Sequence, residues 1–199
     1  MQSLINHGVD TIFGLPGVQN DQLYNALYGA GDQIRVIHRG MSRAAYMALG
    51  YALASDRVGV YSVVPGPGFL NTTAALSTAY ATNARVLCLT GQIRSDQIWR
   101  GYGMLHEIPD QLTILRSLTK WAERVPSAAD APLSWQRHST NSTRIVRSRW
   151  GWKCRPMCWP QQPTWIPPAQ VDPRRPQVDA VVVDHAAALL SRARNRRSS

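Results

Sequence analysis

The feature that most constrains this chain is a phrase that repeats along its first 125 residues. Each time, a short apolar run closes on a glycine turn, and a stretch apolar at helical spacing follows. Thr11-Ile12-Phe13 ends at Gly14, with Pro16 and Gly17 just beyond, and residues 21–30 set Leu23, Ala26 and Leu27 at helical intervals. Residues 34–38 are a β-branched run, and residues 44–54 are an alanine-rich helix. Residues 58–64 read as a strand, which the glycines at 66 and 68 turn into a helix over 71–82. Residues 85–89 form a further strand ending at Thr90-Gly91-Gln92, residues 110–118 are helical, and Trp121 begins one more short strand. Strand, turn and helix in alternation predict an α/β fold, a three-layer doubly wound parallel sheet with helices on both faces. In such sheets ligands sit at the carboxyl ends of the strands, where these turns fall.

Composition changes abruptly near Val125. Residues 1–125 carry 10 Lys and Arg against 8 Asp and Glu, whereas residues 126–199 carry 12 against 4. The second part also holds nine of the 13 prolines and five of the seven tryptophans. The net charge of +10 therefore belongs almost wholly to that part. The expected division is a domain over 1–125 with a truncated start, an irregular Pro/Trp/Arg-rich segment over 126–178, and a helical remnant over 179–199. No apolar run reaches the roughly 18 residues of a membrane helix, which argues against a membrane partner. No basic head followed by an apolar stretch marks a secretory signal. Three cysteines are too few for a disulfide framework, so a reducing, cytoplasmic setting is expected.

Gly14-Leu15-Pro16-Gly17 and Gly66-Pro67-Gly68 each let a backbone approach a ligand closely. By themselves they are equally the ordinary punctuation of βα turns. Neither has the GxGxxG spacing, nor the Gly-Lys-Ser/Thr of a P-loop.

Read in order, Phe13-Gly14-Leu15-Pro16-Gly17, the stretch from Ala45 to Ala52, Gly66-Pro67-Gly68 with Asn71, Thr90-Gly91-Gln92 and His106-Glu107 resemble one pattern. It is similar to the N-terminal, pyrimidine-binding domain of thiamine-diphosphate enzymes, the group of acetolactate synthases and 2-oxo-acid decarboxylases. The resemblance implies that Pro67, Gly68, Asn71 and Gln92 lie near the pyrimidine side of the cofactor, with Gly14, Pro16 and Gly17 shaping the neighbouring turn. It implies a small 2-oxo acid as substrate, self-association, and Mg2+ and diphosphate held by a domain this chain lacks. It also allows FAD in the full-length family. His38, His106 and His185 have no spaced partners and are expected to be structural or exposed. Glu107 is expected to contact neighbouring chain rather than substrate.

One departure bears on chemistry. Where the family has Arg-His-Glu-Gln-Gly before its third helix, this chain has Arg39-Gly40-Met41-Ser42-Arg43, so Met41 stands at the position of the activating glutamate. That glutamate protonates a ring nitrogen, which needs a carboxyl group within hydrogen-bond reach. A thioether carries no exchangeable proton. No catalytic residue is therefore expected here, and the implied decarboxylation or carboligation is expected to be lost.

The missing motif reappears one base out of frame. Codons CGN-GGN-ATG-AGY-AGR-GCN for residues 39–44, read from the third base, become NGG-NAT-GAG-YAG-RGC. These triplets can encode Arg, His, Glu, Gln and Gly. Residues 151–160, shifted likewise, permit Val-Glu-Met-Pro-Pro-Asp-Val-Leu-Ala, similar to the motif that closes the family domain. Residues 133–161 are thus expected to be wrong-frame text of the last helix and strand, leaving the sheet with an unpaired edge. This accounts for the Arg, Trp, Pro and Cys excess. The rival reading is a non-enzymatic fragment that binds nucleic acid through its Arg- and Trp-rich tail. Against it, a charge run is usually a solvated surface. Cys154-x-x-x-Cys158 lacks the partners that would make a zinc site. Resequencing the gene tests the frame reading: a base is expected to be missing around codons 38–44, and an intact coding sequence there removes it.

Overall fold

The computed structural model describes residues 1–55, 57–134, 150–154 and 179–192. The chain opens with α1 (Gln2–Asn6), β1 (Thr11–Gly14), α2 (Asp21–Gly29) and β2 (Arg35–His38). It continues through α3 (Met41–Ser55), β3 (Gly59–Val63), α4 (Pro67–Leu70), α5 (Thr73–Ala81) and β4 (Val86–Thr90). Then come α6 (Gln111–Leu118), β5 (Trp121–Val125), β6 (Trp150–Cys154) and α7 (Ala180–Arg192). The six strands form one sheet in the order β2-β1-β3-β4-β6-β5, and every neighbouring pair is parallel. The expected α/β fold is thus present.

The apolar runs are continuous because both faces of the sheet are covered. Side chains alternate along a strand, so neighbours in sequence enter opposite layers. Phe13, Tyr61 and Cys88 join the core beneath α3, α5 and α6, with Ala48, Leu76 and Leu115. Ile12, Val60 and Leu87 join the opposite core with Leu4 and Leu27, from α1 and α2. The alanines of α3 allow an unusually close approach. A Cβ on Gly59 would fall well inside contact distance of the Ala48 carbonyl oxygen.

Two boundaries differ from the sequence reading. Helix α3 begins at Met41, three residues before the expected start, so Met41 lies within its first turn. The helix expected over 71–82 is two helices. Pro67 starts α4 immediately after Gly66, whose φ of 59° is favourable only for glycine. Between α4 and α5 the Thr72 hydroxyl donates back to the Phe69 carbonyl at 2.6 Å and accepts from Tyr61 at 3.0 Å.

The third difference is in the segment expected to be irregular. Trp150–Cys154 forms β6, which fills the place between β4 and β5, so β4 is paired on both sides and the sheet edges are β2 and β5. The expectation of a missing closing strand is corrected at that point. A ladder requires only backbone donors and acceptors, and Trp150, Trp152 and Cys154 keep an apolar alternation suited to a strand. The remainder of the segment, 135–149 and 155–178, lies outside the described residues. The expected final helix is present as α7, with the Asp179 carboxylate accepting from the Val181 N–H at 2.9 Å.

One buried amide ties the carboxyl end of the sheet to α6. Gln111 is 1% exposed. Its Oε1 accepts the Gly66 N–H at 2.9 Å, and its Nε2 donates to Thr90 Oγ1 and to the Gly91 carbonyl, each at 3.3 Å. Gln111→Leu leaves the buried Gly66 N–H without its acceptor, and a loss of ~1–3 kcal/mol is expected in urea denaturation. Gly59→Ala must push α3 off the sheet through backbone rather than a yielding side chain. It is expected to cost at least ~1–3 kcal/mol in the same measurement.

Candidate functional site

The turns after β1, β3 and β4 meet at the carboxyl end of the sheet, and Val64 is the wedge between two of them. It is 5% exposed. A Cβ on Gly17 would lie 2.5 Å from its Cγ1, and one on Gly68 would lie 2.5 Å from its Cγ2. Both glycines are therefore required by space, since neither has a positive φ. A Cβ on Gly14 would strike the Ser62 carbonyl and the Tyr24 hydroxyl. Burial pushes the Tyr24 hydroxyl up to about 12 despite a nearby Ser62 oxygen, so the phenol stays neutral beside that turn.

Asn20 holds the first turn in shape. Its Oδ1 accepts the Gly17 N–H at 2.7 Å, and its Nδ2 donates to the Leu15 carbonyl at 3.2 Å and reaches Ser62 Oγ at 3.5 Å. Pro16, within the same turn, is exposed.

The opening of α3 meets α4 here. The Asn71 Nδ2 lies 3.7 Å from Met41 Sδ, and the same sulfur is 3.7 Å from where a Gly68 Cβ would stand. Ser42 Oγ donates to the Asn71 carbonyl at 2.9 Å. The fold thus brings Met41, Gly68 and Asn71 into one cluster, with Pro67 at the start of α4, and links it through Val64 to Gly17. Gln92 is placed differently. It is buried, and its Oε1 accepts the N–H of its own neighbour Ile93 at 3.0 Å, so that end of the amide is used locally.

A second loop closes over the Gly66 turn. The missing Cβ of Gly66 makes room for the backbone carbonyl of His106, which itself sits at φ 67°. Gln19 fastens this loop: its Nε2 donates to the Leu105 carbonyl at 3.1 Å, and its Oε1 is 2.9 Å from His106 Nδ1. An amide oxygen only accepts, so that contact assigns the proton to Nδ1. Glu107 accepts from the Gly101 N–H at 3.2 Å and the Met104 N–H at 2.8 Å, which makes it a brace of its own loop. His38 stacks on Tyr24 with ring centroids 5.8 Å apart, and His185 is exposed on α7.

Sequence reasoning missed Asn20, Gln19 and Gln111. Asn20 had a local signal, an amide three residues after a glycine in a turn. Gln19 and Gln111 had none, because their partners lie far away in the chain. Among the described residues there is no group of three His, Cys, Asp or Glu that could hold a metal ion. No described helix is long and apolar enough to cross a membrane. Cys158 and most of the Arg- and Trp-rich tail lie outside the described residues.

In chemical terms the cluster sets one amide, Asn71, beside the Met41 thioether at the helix start, and a thioether has no proton to give. Residues 1–114 match the family described as "Thiamine pyrophosphate enzyme, N-terminal TPP binding domain". The chain is 37% identical to the probable 2-ketoarginine decarboxylase AruI of Pseudomonas aeruginosa, over 65% of this chain and 23% of that protein. It is 33% identical to the acetolactate synthase large subunit of Buchnera aphidicola, over 69% of this chain and 24% of that protein. It is 35% identical to the acetolactate synthase isozyme 3 large subunit of Escherichia coli, over 66% of this chain and 22% of that protein. The chain therefore spans about a quarter of the length of these relatives. By this match, and in keeping with its glycine turns and parallel sheet, the chain belongs to the thiamine pyrophosphate enzyme family, as a form of its N-terminal TPP binding domain.

Proposed function

We propose that this chain forms the pyrimidine-side half of a thiamine-diphosphate site from a 2-oxo-acid decarboxylase or carboligase of the acetolactate synthase kind, and that it does not activate the cofactor as written. The observation that carries the first half is the cradle of turns: Gly17 and Gly68 pack against the two methyl groups of Val64, and Asn71 stands beside residue 41. The observation that carries the second half is Met41 itself, within 3.7 Å of Asn71 at the opening of α3.

The fit is divided. The glycine cradle and Asn71 suit a flat, hydrogen-bonding ring, and Pro67 and the Asn20-held turn keep the walls in place. The donor set does not suit activation. When bound, the cofactor supplies a thiazolium carbon that must lose a proton, and the family motif provides a carboxyl group for that relay. Met41 offers a weakly accepting sulfur instead. No catalytic step is assigned to this chain.

The remaining parts belong to the same reading. The substrate would be a small 2-oxo acid, in keeping with the decarboxylase and synthase names of the relatives. Mg2+ and the diphosphate would be held by a second domain, FAD would be an option of the longer protein, and the setting would be cytoplasmic. Self-association would follow the family habit. The out-of-frame text around residues 39–43 is, on this reading, the cause of the lost acid.

A pyrimidine probe tests the cradle. Titrating thiamine into the chain is expected to shift the Met41 methyl and Asn71 side-chain amide resonances, with smaller changes at Pro16 and Gln92; unchanged Met41 and Asn71 signals would refute the site. A second measurement tests the acid. Met41→Glu alone, joined to a diphosphate-binding domain, is expected not to accelerate exchange of the thiazolium C2 proton. Restoring the whole Arg-His-Glu-Gln-Gly stretch with its extra residue is expected to do so. One residue of register turns a helical side chain by about 100°, enough to aim a carboxyl away from the ring.

A further inference from the structure

The loop between β4 and α6 is fixed at its ends and lightly held between them. Ile93 is buried, and Ile108 packs against the core beneath α3. No residue from 94 to 107 belongs to either core. Trp99, Tyr102 and Leu105 are 68%, 67% and 62% exposed. Trp99, Gly101, Gly103 and His106 all take positive φ, and for a residue as bulky as tryptophan that conformation is strained. Among the described residues, the loop's backbone–backbone hydrogen bonds stay inside it. The Gln97 N–H donates to Arg94, the Arg100 N–H to Gln97, and the Glu107 N–H to Met104.

The side-chain ties are of two kinds. Glu107 acts within the loop, where its carboxylate accepts the Gly101 and Met104 N–H groups at 3.2 and 2.8 Å and braces residues 101–107 as one piece. Two ties reach outward. The Gln19 amide donates to the Leu105 carbonyl at 3.1 Å and accepts from His106 Nδ1 at 2.9 Å. At the other end the Arg124 guanidinium carbon of β5 lies 4.8 Å from the Trp99 ring centroid. Gln19 is itself well seated, since a Cβ on Gly91 would lie 2.6 Å from its carbonyl oxygen. The turn beneath the loop does not rely on it, because Gln111 holds the Gly66 N–H from the other direction in sequence.

We propose that residues 94–107 form a strap that lifts from the Gly66 turn as one unit while the sheet stays folded, with Gln19 as its latch and the Trp99–Arg124 stack as a second fastening. A segment without core side chains, held by a few polar contacts, opens at far lower free energy than a central strand. The strain at Trp99 is relieved on release. Closed, the strap lays the His106 carbonyl against Gly66; open, it uncovers that turn. Access to this side of the cluster is thus set by one amide, Gln19. The inference stands on the contacts of the loop and does not depend on the cofactor reading.

Amide hydrogen exchange of the full chain, read residue by residue, decides it. Gln19→Ala removes the latch and leaves the Glu107 brace in place. It is expected to speed exchange at the Gly101, Met104 and Glu107 amides together by about tenfold, the scale of two modest hydrogen bonds. None of these amides touches Gln19, and the amides of Val86–Thr90 are expected to keep their rates. Arg124→Gln loosens the other fastening, and the same three amides are expected to exchange about threefold faster. Exchange at those three that is unchanged in either folded variant, or that rises no more than at Val86–Thr90, overturns the strap. Acceleration confined to Leu105 and His106 in Gln19→Ala overturns it equally, because the loop would then loosen piecemeal. Should Gln19→Ala fail to fold, Arg124→Gln decides by the same criterion.

Discussion

The carboxyl end of this sheet is organised by a single buried amide. Gln111 accepts from the Gly66 N–H and donates to Thr90 and Gly91, so the turns after β3 and β4 and the start of α6 are fixed to one another. Leaving any of these groups unpaired in a site 1% exposed would carry a full desolvation penalty, so the turns have little freedom to move apart. The cradle depends on this. Gly66 holds a left-handed conformation that starts α4, α4 presents Gly68 and Asn71, and Gly68 closes on Val64. Gln19 adds a second tie by fastening the loop at Leu105 and His106 across the same turn.

Packing sets the shape of the cradle: the glycines on both sides of Val64 fit against its methyl groups whatever residue stands at 41. At the start of α3 the chain has a thioether, Met41, which carries no exchangeable proton. Shape is spread over many backbone contacts, whereas an acid function rests on a single side chain.

The sheet accommodates β6 for a related reason. A central strand is held first by backbone groups, which any residue except proline supplies. The apolar alternation at 150, 152 and 154 in the sequence suits a strand, and Lys153 is in register with Arg124.

The sequence alone determined the alternation of strands and helices, because apolar periodicity and glycine turns are local signals. Thr11, Gly14, Gly66 and Thr90 mark strand and turn ends almost where they fall. Those local signals did not join Gly14, Gly17, Pro67, Gly68, Asn71 and Met41; only the resemblance to a known pattern led them to be expected near one site. Only the tertiary structure decided what links them. That Gln111 serves two turns, that Gln19 reaches His106 across 87 positions, and that Val64 separates two glycines are facts about distant segments. It also decided that Gln92 turns toward its own backbone and that β6 lies between β4 and β5. No local pattern contains such information, because a buried polar group or a central strand is defined by partners the chain meets only when folded.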